Sequence, residues 1–182
     1  MATVDRQRPR SVDTPGVDSW DRLIESTYRD HYLALVRLAV QLVDDQATAE
    51  DTVQEVFVAL HRSGPVTGGL TDAKSYLRTA VVNRCRSVLR RRRTARAWLR
   101  PGLHFVEPAD AGLLRQDRHH RMLGALSRLA VRQREVLVLR YYEELTVSEI
   151  AQLLQISPGA VSSSLNRGLK SLSSLVGSVD DE

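Results

Sequence analysis

The sequence predicts an all-α protein, two small helical domains joined by a flexible linker, and three observations predict it. Apolar residues recur on a 3.6-residue period through most of the chain. No stretch of useful length alternates apolar and polar residues as a strand does. One long aperiodic stretch, Trp98 to Gly112, holds Pro101, Gly102, Pro108 and Gly112 and reads as a connection. The expected division is a disordered tail over 1–17, a domain over 18–98, a linker over 99–115, a second domain over 116–177 and an acidic tail over 178–182.

The tail is rich in Arg, Pro, Asp and Ser, a composition that buries little. It has no apolar core of the kind a secretory signal needs. From Trp20 a first helix places Leu23, Tyr28, Tyr32, Leu35, Val36, Ala39 and Leu42 on a helical period. A second carries Val53, Val56, Phe57 and Leu60 at i, i+3, i+4 and i+7, and Gly64-Pro65 with Gly68-Gly69 should end it. After Asp72 a third helix sets Leu77, Val81, Cys85 and Val88 on one face, which makes Cys85 a core thiol. Periodicity resumes near Gln116 and runs through Leu126, Leu129, Val136, Leu137 and Leu139 to Tyr142.

Two capped helices follow. Thr146 and Glu149 form a capping box, and Val147, Ile150, Ala151 and Leu154 make the apolar face of a short helix. Ser157 is placed to N-cap the next helix, with Pro158 at its first position, where a missing N–H costs nothing. There Val161, Leu165, Leu169 and Leu172 are expected to point inward, and Ala160, Ser163, Asn166, Arg167 and Lys170 outward. That is the pattern of a helix-turn-helix with a recognition helix facing a major groove. Gln155 holds the turn position where glycine is usual, at a cost of about 1 kcal/mol if the backbone is left-handed.

Charge is uneven although the net value is only +4. Residues 73–100 hold Lys74 and nine arginines with no carboxylate, and Asp44, Asp45, Glu50, Asp51 and Glu55 precede them. All but two of the 26 basic residues are arginine, which favours bidentate phosphate or carboxylate contacts, although a GC-rich genome gives the same bias. Asn83, Arg86, Arg90 and Arg93 share a face opposite Leu77, Val81 and Val88 if the segment is one helix. A basic stripe and a helix-turn-helix in one small chain suit a protein that reads two places on the same DNA. Asp51, Gln54 and Glu55 form an exposed acidic patch at i, i+3 and i+4, on the face opposite Val53, Val56, Phe57 and Leu60; it suits a basic partner helix or is simply solvated.

Other chemistries find little support. A single cysteine cannot form an internal disulfide or a thiolate metal cluster, and no apolar run reaches the roughly 18 residues of a membrane span. His31, His61, His104, His119 and His120 show no metal-ligand spacing, and no Gly-rich phosphate loop is present. No catalytic residue, metal or cofactor is therefore expected, and the chain should be cytoplasmic.

Four segments together resemble the bacterial extracytoplasmic-function (ECF) sigma factors, in the actinobacterial SigE-like form. Tyr28-Arg-Asp-His-Tyr-Leu-Ala-Leu-Val-Arg-Leu-Ala is similar to the family's opening helix, and Ala49-Glu-Asp-Thr-Val-Gln-Glu-Val-Phe to its A-E-D-x-V-Q-E-x-F signature. Tyr76-Leu-Arg-Thr-Ala-Val-Val-Asn with the arginine run resembles the promoter-melting part of region two. The stretch from Gln133 through the helix-turn-helix resembles region four. The resemblance implies a transcription initiation factor without catalysis of its own. Region two would dock on the clamp helices of RNA polymerase core through Asp51, Gln54 and Glu55. It would read a single-stranded −10 element with Asn83, in a loop that captures a flipped base, while Arg86, Arg90 and Arg93 hold phosphates. Region four would sit on the β-subunit flap and read the duplex −35 element with Ala160, Ser162, Ser163, Asn166, Arg167 and Lys170. Ser162 and Ser164 stand where the family usually has Lys or Arg. An anti-sigma factor is a common partner in the family, and no residue here identifies one. The rival reading is a free-standing helix-turn-helix repressor with an N-terminal dimer or ligand domain; a nucleic-acid enzyme lacks the paired carboxylates or metal site it would need.

Overall fold

The computed structural model describes residues 17–43, 45–64, 72–98 and 115–177. All of the expected tails except Val17, and almost all of the expected linker, together with Pro65 and Gly68-Gly69 after the second helix, lie outside them. Helices α1 (Val17–Val43), α2 (Gln46–Arg62) and α3 (Ala73–Trp98) form the first unit. Then come α4 (Arg115–Arg128), α5 (Val131–Leu137), a π-helical turn (Val138–Tyr142), α6 (Val147–Leu154) and α7 (Pro158–Gly177). Among the described residues there is no strand.

The two-residue connection between α1 and α2 forces them antiparallel. Trp20, only 2% exposed, sits at the start of α1 and donates from Nε1 to the carbonyl of His61 at the end of α2, at 3.4 Å. Asp45 N-caps α2 by accepting from the Thr48 amide at 2.8 Å. Helix α3 is started by Asp72, whose side chain accepts from the Ser75 amide at 3.0 Å. Leu38, Leu42, Val53, Leu60, Leu77 and Val81 are fully buried between the three helices. Cys85 is in the same core at 1% exposure, and burial pushes its thiol up to about 12. The expected core thiol is inert at neutral pH.

Two expectations need correction here. Tyr28 belongs to the apolar period of α1 but is 38% exposed. It covers the core from outside, stacked on Tyr32 and edge-on to Phe57 at centroid distances of 4.6 and 4.9 Å. The helical run expected from Gln116 to Tyr142 is not continuous. Ala130 adopts an extended ψ of 139°, which breaks α4 from α5. Periodicity survives such a break because the same side of both helices stays buried. Arg134, 4% exposed, holds the break: it donates to the Ser127 carbonyl of α4 at 2.8 Å and to the Leu42 carbonyl of α1 at 2.6 Å. One guanidinium thus serves two helix C-termini, where cations are favoured.

The last helices pack as expected in most respects. The capping box is formed in both directions, Glu149 N to Thr146 Oγ1 at 3.2 Å and Thr146 N to Glu149 Oε2 at 2.8 Å. The Thr146 hydroxyl, which donates to Glu149 Oε2 at 2.7 Å, and the Thr146 amide together lower the Glu149 pKa. Gln155 is left-handed at φ 52°, ψ 50°, and Ser157 accepts from the Ala160 amide at 3.2 Å. In α7, however, Leu169 is 41% exposed and Ser164 only 6% exposed. The inward face runs through Val161, Ser164, Leu165, Gly168 and Leu172. Gly168 sits so close to α5 that a Cβ there would lie 3.0 Å from Leu137 Cδ1. The closest approach of the two helices is built on glycine, and Leu169 is rotated outward.

Candidate nucleic-acid and partner interfaces

The arginine run of α3 divides into two groups. Arg84 pairs with Glu55 of α2. Arg92 donates to the Val43 carbonyl at 3.3 Å and to Asp45 Oδ2 at 2.7 Å, and it also bonds Thr48. Partial burial alone would raise the Asp45 pKa, but the hydrogen bonds from Arg92 and Thr48 and the guanidinium charge bring it below the ordinary value. Arg92 binds the elbow of α1 and α2 to α3, and Arg84 ties α3 to the middle of α2. Arg90, Arg91 and Arg93 are exposed and make no ion pair with the described residues. They form a free cationic surface at the C-terminal end of α3.

Asn83 is exposed on a continuous α3 and not in a loop. Its Oδ1 accepts from Arg86 Nη1 at 3.5 Å, and its backbone carbonyl accepts from Ser87 Oγ at 3.1 Å. The apolar positions Leu77, Val81 and Cys85 continue in phase through the segment, so nothing local forces a break. Arg86 is engaged differently from the rest of the stripe. Its Nε and Nη2 donate to Glu135 Oε1 and Oε2 of α5, at 2.6 and 3.1 Å. Glu135 is 3% exposed. Arg78 likewise reaches across to Glu143 at 3.3 Å.

On α2, Asp51, Gln54 and Glu55 are all exposed, and Asp51 makes no ion pair among the described residues. The sequence reading overlooked Val58, 47% exposed in the same stripe one turn further on. Its i+3/i+4 spacing from Gln54 and Glu55 was available as a signal. An apolar side chain centred behind carboxylates is what a helix-docking surface needs. On α7, Ala160, Ser162, Ser163, Asn166, Arg167 and Lys170 are all exposed, whereas Ser164 is buried. A missing Lys or Arg at Ser164 therefore removes nothing from the outer face. Ser162 does weaken its charge.

Comparison with known proteins decides what this arrangement belongs to. The family profile for sigma-70 region 2 matches residues 27–95, and that for sigma-70 region 4 matches residues 119–172. The RNA polymerase sigma-E factor of Streptomyces avermitilis is 31% identical over 159 residues, covering 81% of this chain and 82% of the relative. The chain belongs to the ECF sigma factors. The sigma-E factor of Streptomyces coelicolor, at 30% identity with the same coverage, and the sigma factor CarQ of Myxococcus xanthus, at 29% over 87% of this chain and 91% of the relative, agree. Among solved structures, the sigma factor RpoE of Bartonella quintana, in complex with the anti-sigma factor NepR, superposes with a TM-score of 0.61 at 23% identity. It covers 84% of this chain and 98% of that one. CnrH, solved with the cytosolic domain of CnrY, gives 0.60 at 23% identity, over 89% and 92%. These two establish the fold. A sigma factor directs RNA polymerase core to promoters, and the repressor reading is set aside. Among the described residues, no helix of this sigma factor is long and apolar enough to cross a membrane.

Proposed function

We propose that the polymerase-docking surface of this sigma factor is the α2 stripe of Asp51, Gln54, Glu55 and Val58. The −10 element is read by Asn83 with Arg86, Arg90 and Arg93, and the −35 element by the outer face of α7. Region two is assigned to 18–98 and region four to 116–177, with 99–115 as the connection. The protein works in the cytoplasm and contributes no catalysis; phosphodiester synthesis belongs to the polymerase. The likeness to a sigma factor solved with the anti-sigma factor NepR supports such an inhibitor among the expected partners.

One observation carries this reading: the carboxylates of α2 are exposed in the same domain as a free arginine surface. A protein that only binds DNA would be repelled by its own acidic face, whereas one held on a polymerase needs both signs. The test is co-elution of the full chain with RNA polymerase core. Asp51→Lys alone, and with Glu55→Lys, should abolish co-elution while folding is retained, since exposed changes alter stability within about ±0.5 kcal/mol. The single variant matters because Glu55 also pairs with Arg84. Unchanged co-elution of the folded variants would mean that the stripe is only solvated.

A further inference from the structure

The inward line of α7 passes through Val161, Ser164, Gly168 and Leu172. At about 100° per residue, the opposite line passes through Gly159, Ser163, Asn166 and Lys170. From Gly159 to Ser163 every exposed residue is small: Gly159, Ala160, Ser162 and Ser163. A Cβ built on Gly159 would meet nothing within 4 Å. Ser162 turns its Oγ back to the Pro158 carbonyl at 3.1 Å, which leaves it little reach. No long side chain holds the first two turns away from a groove floor. Asn166 follows about 12 Å along the helix from Pro158, still within what a major groove about 12 Å wide accommodates. Its amide makes no hydrogen bond with the described residues. Asparagine is a poor residue for a helix interior, and no contact within the chain offsets that cost.

We propose that Asn166 sets the sequence preference of region four by reading one adenine of the −35 element, while Arg167 and Lys170 hold the adjoining phosphates. The inference rests on the −35 reading of α7 given above. A side-chain amide presents a donor and an acceptor side by side. Adenine offers the complement in the major groove, its N7 accepting and its N6 donating. Guanine offers two acceptors there and would set one of them against the Asn166 carbonyl. The two cations stand differently. Arg167 lies a turn of about 100° to the side and donates from Nε back to the Ser163 carbonyl at 3.3 Å. Lys170 is a point charge one turn beyond Asn166, without the fork that reads a guanine edge. Code and grip therefore fall on separate residues of one helix. The short neighbours matter as much as the amide, because only a deeply seated helix brings so short a side chain to a base edge.

The test is a selection with holoenzyme formed from the full chain, on duplex promoters with a fixed −10 element and a randomised −35 element. Wild type should favour an A·T pair at one −35 position by about tenfold, as one bidentate base contact allows. Asn166→Ala, an exposed change to a better helix former, should keep the fold and flatten that position alone. Asn166→Arg should move the preference there to guanine, whose O6 and N7 accept from an arginine fork. Arg167→Ala and Lys170→Ala should each weaken all −35 sequences alike and lower the salt slope by about 0.9. A base profile unchanged by Asn166→Ala would overturn the inference. So would an Asn166-dependent preference for a pair other than A·T. If the two cation variants still lower the slope in either case, the fault lies with Asn166. If none of the three alanine variants changes binding, the −35 reading of α7 itself has failed, and the inference falls with it.

Discussion

Arginines adjacent in sequence do different work because α3 turns about 100° per residue. Arg92 faces the α1–α2 elbow and Arg91 faces solvent. The pair Asp45 and Arg92 allows a prediction at this scale. Asp45 is both the N-cap of α2 and the partner of Arg92, and its folded pKa lies below the ordinary carboxylate value. A depressed acid stabilises fully above its unfolded pKa, near about 3.9, and its contribution is lost as pH falls through the lower folded value. Asp45→Ala should cost about 1 kcal/mol at pH 7, chiefly from the lost cap. The ion pair adds little because its side chains are 37% and 38% exposed. Urea denaturation at neutral pH and again below pH 4 should show the gap narrowing in acid; a gap independent of pH would mean the carboxylate charge contributes nothing. The sequence displayed Asp45 only as one of several acids. Periodicity assigns a residue to a face, but partners nearly fifty residues away appear only once the helices are packed.

Individual helices are where the sequence spoke most clearly. Thr146, Glu149, Ser157 and Pro158 are local signals that act through backbone hydrogen bonds within four residues, so the helix-turn-helix and its left-handed Gln155 were readable. Packing between elements was not. Leu169 was expected inside because its step of four from Leu165 looked regular, yet Gly168 takes that place and lets α7 approach α5. The break at Ala130 was hidden for a similar reason, since it is held by Arg134 and not by a glycine or proline. The close approach predicts that Gly168→Val will destabilise region four by about 1–3 kcal/mol through overpacking against Leu137 and Gln133. A thermal melt of the full chain checks it. Leu169→Ser, on the exposed side of the same helix, should stay within about 0.5 kcal/mol of wild type. Equal losses in the two would mean that the face assignment is wrong.

For the whole molecule bound in holoenzyme, the stripe on α3 should separate into charge and base contacts. Arg90 and Arg93 are exposed and unengaged with the described residues, so each offers its charge directly to a phosphate. Arg90→Ala should weaken binding to every promoter and lower the salt slope by roughly 0.7 to 0.9. Arg86→Ala removes a charge of the same kind, and in the free protein also the bidentate pair with Glu135, so in holoenzyme its salt slope should fall as for Arg90→Ala. Asn83 is different in kind. It carries no charge, and its amide lies on the exposed side of an unbroken helix, where it can meet a base edge only if that base leaves the stack. Asn83→Ala should therefore leave the salt slope unchanged and cost about 1–3 kcal/mol at one −10 base only. Open-complex formation on a panel of −10 substitutions, measured across salt concentrations, distinguishes the two patterns. If Asn83→Ala weakens all promoters alike, its amide serves only its neighbour Arg86, and the base-reading role moves elsewhere on region two.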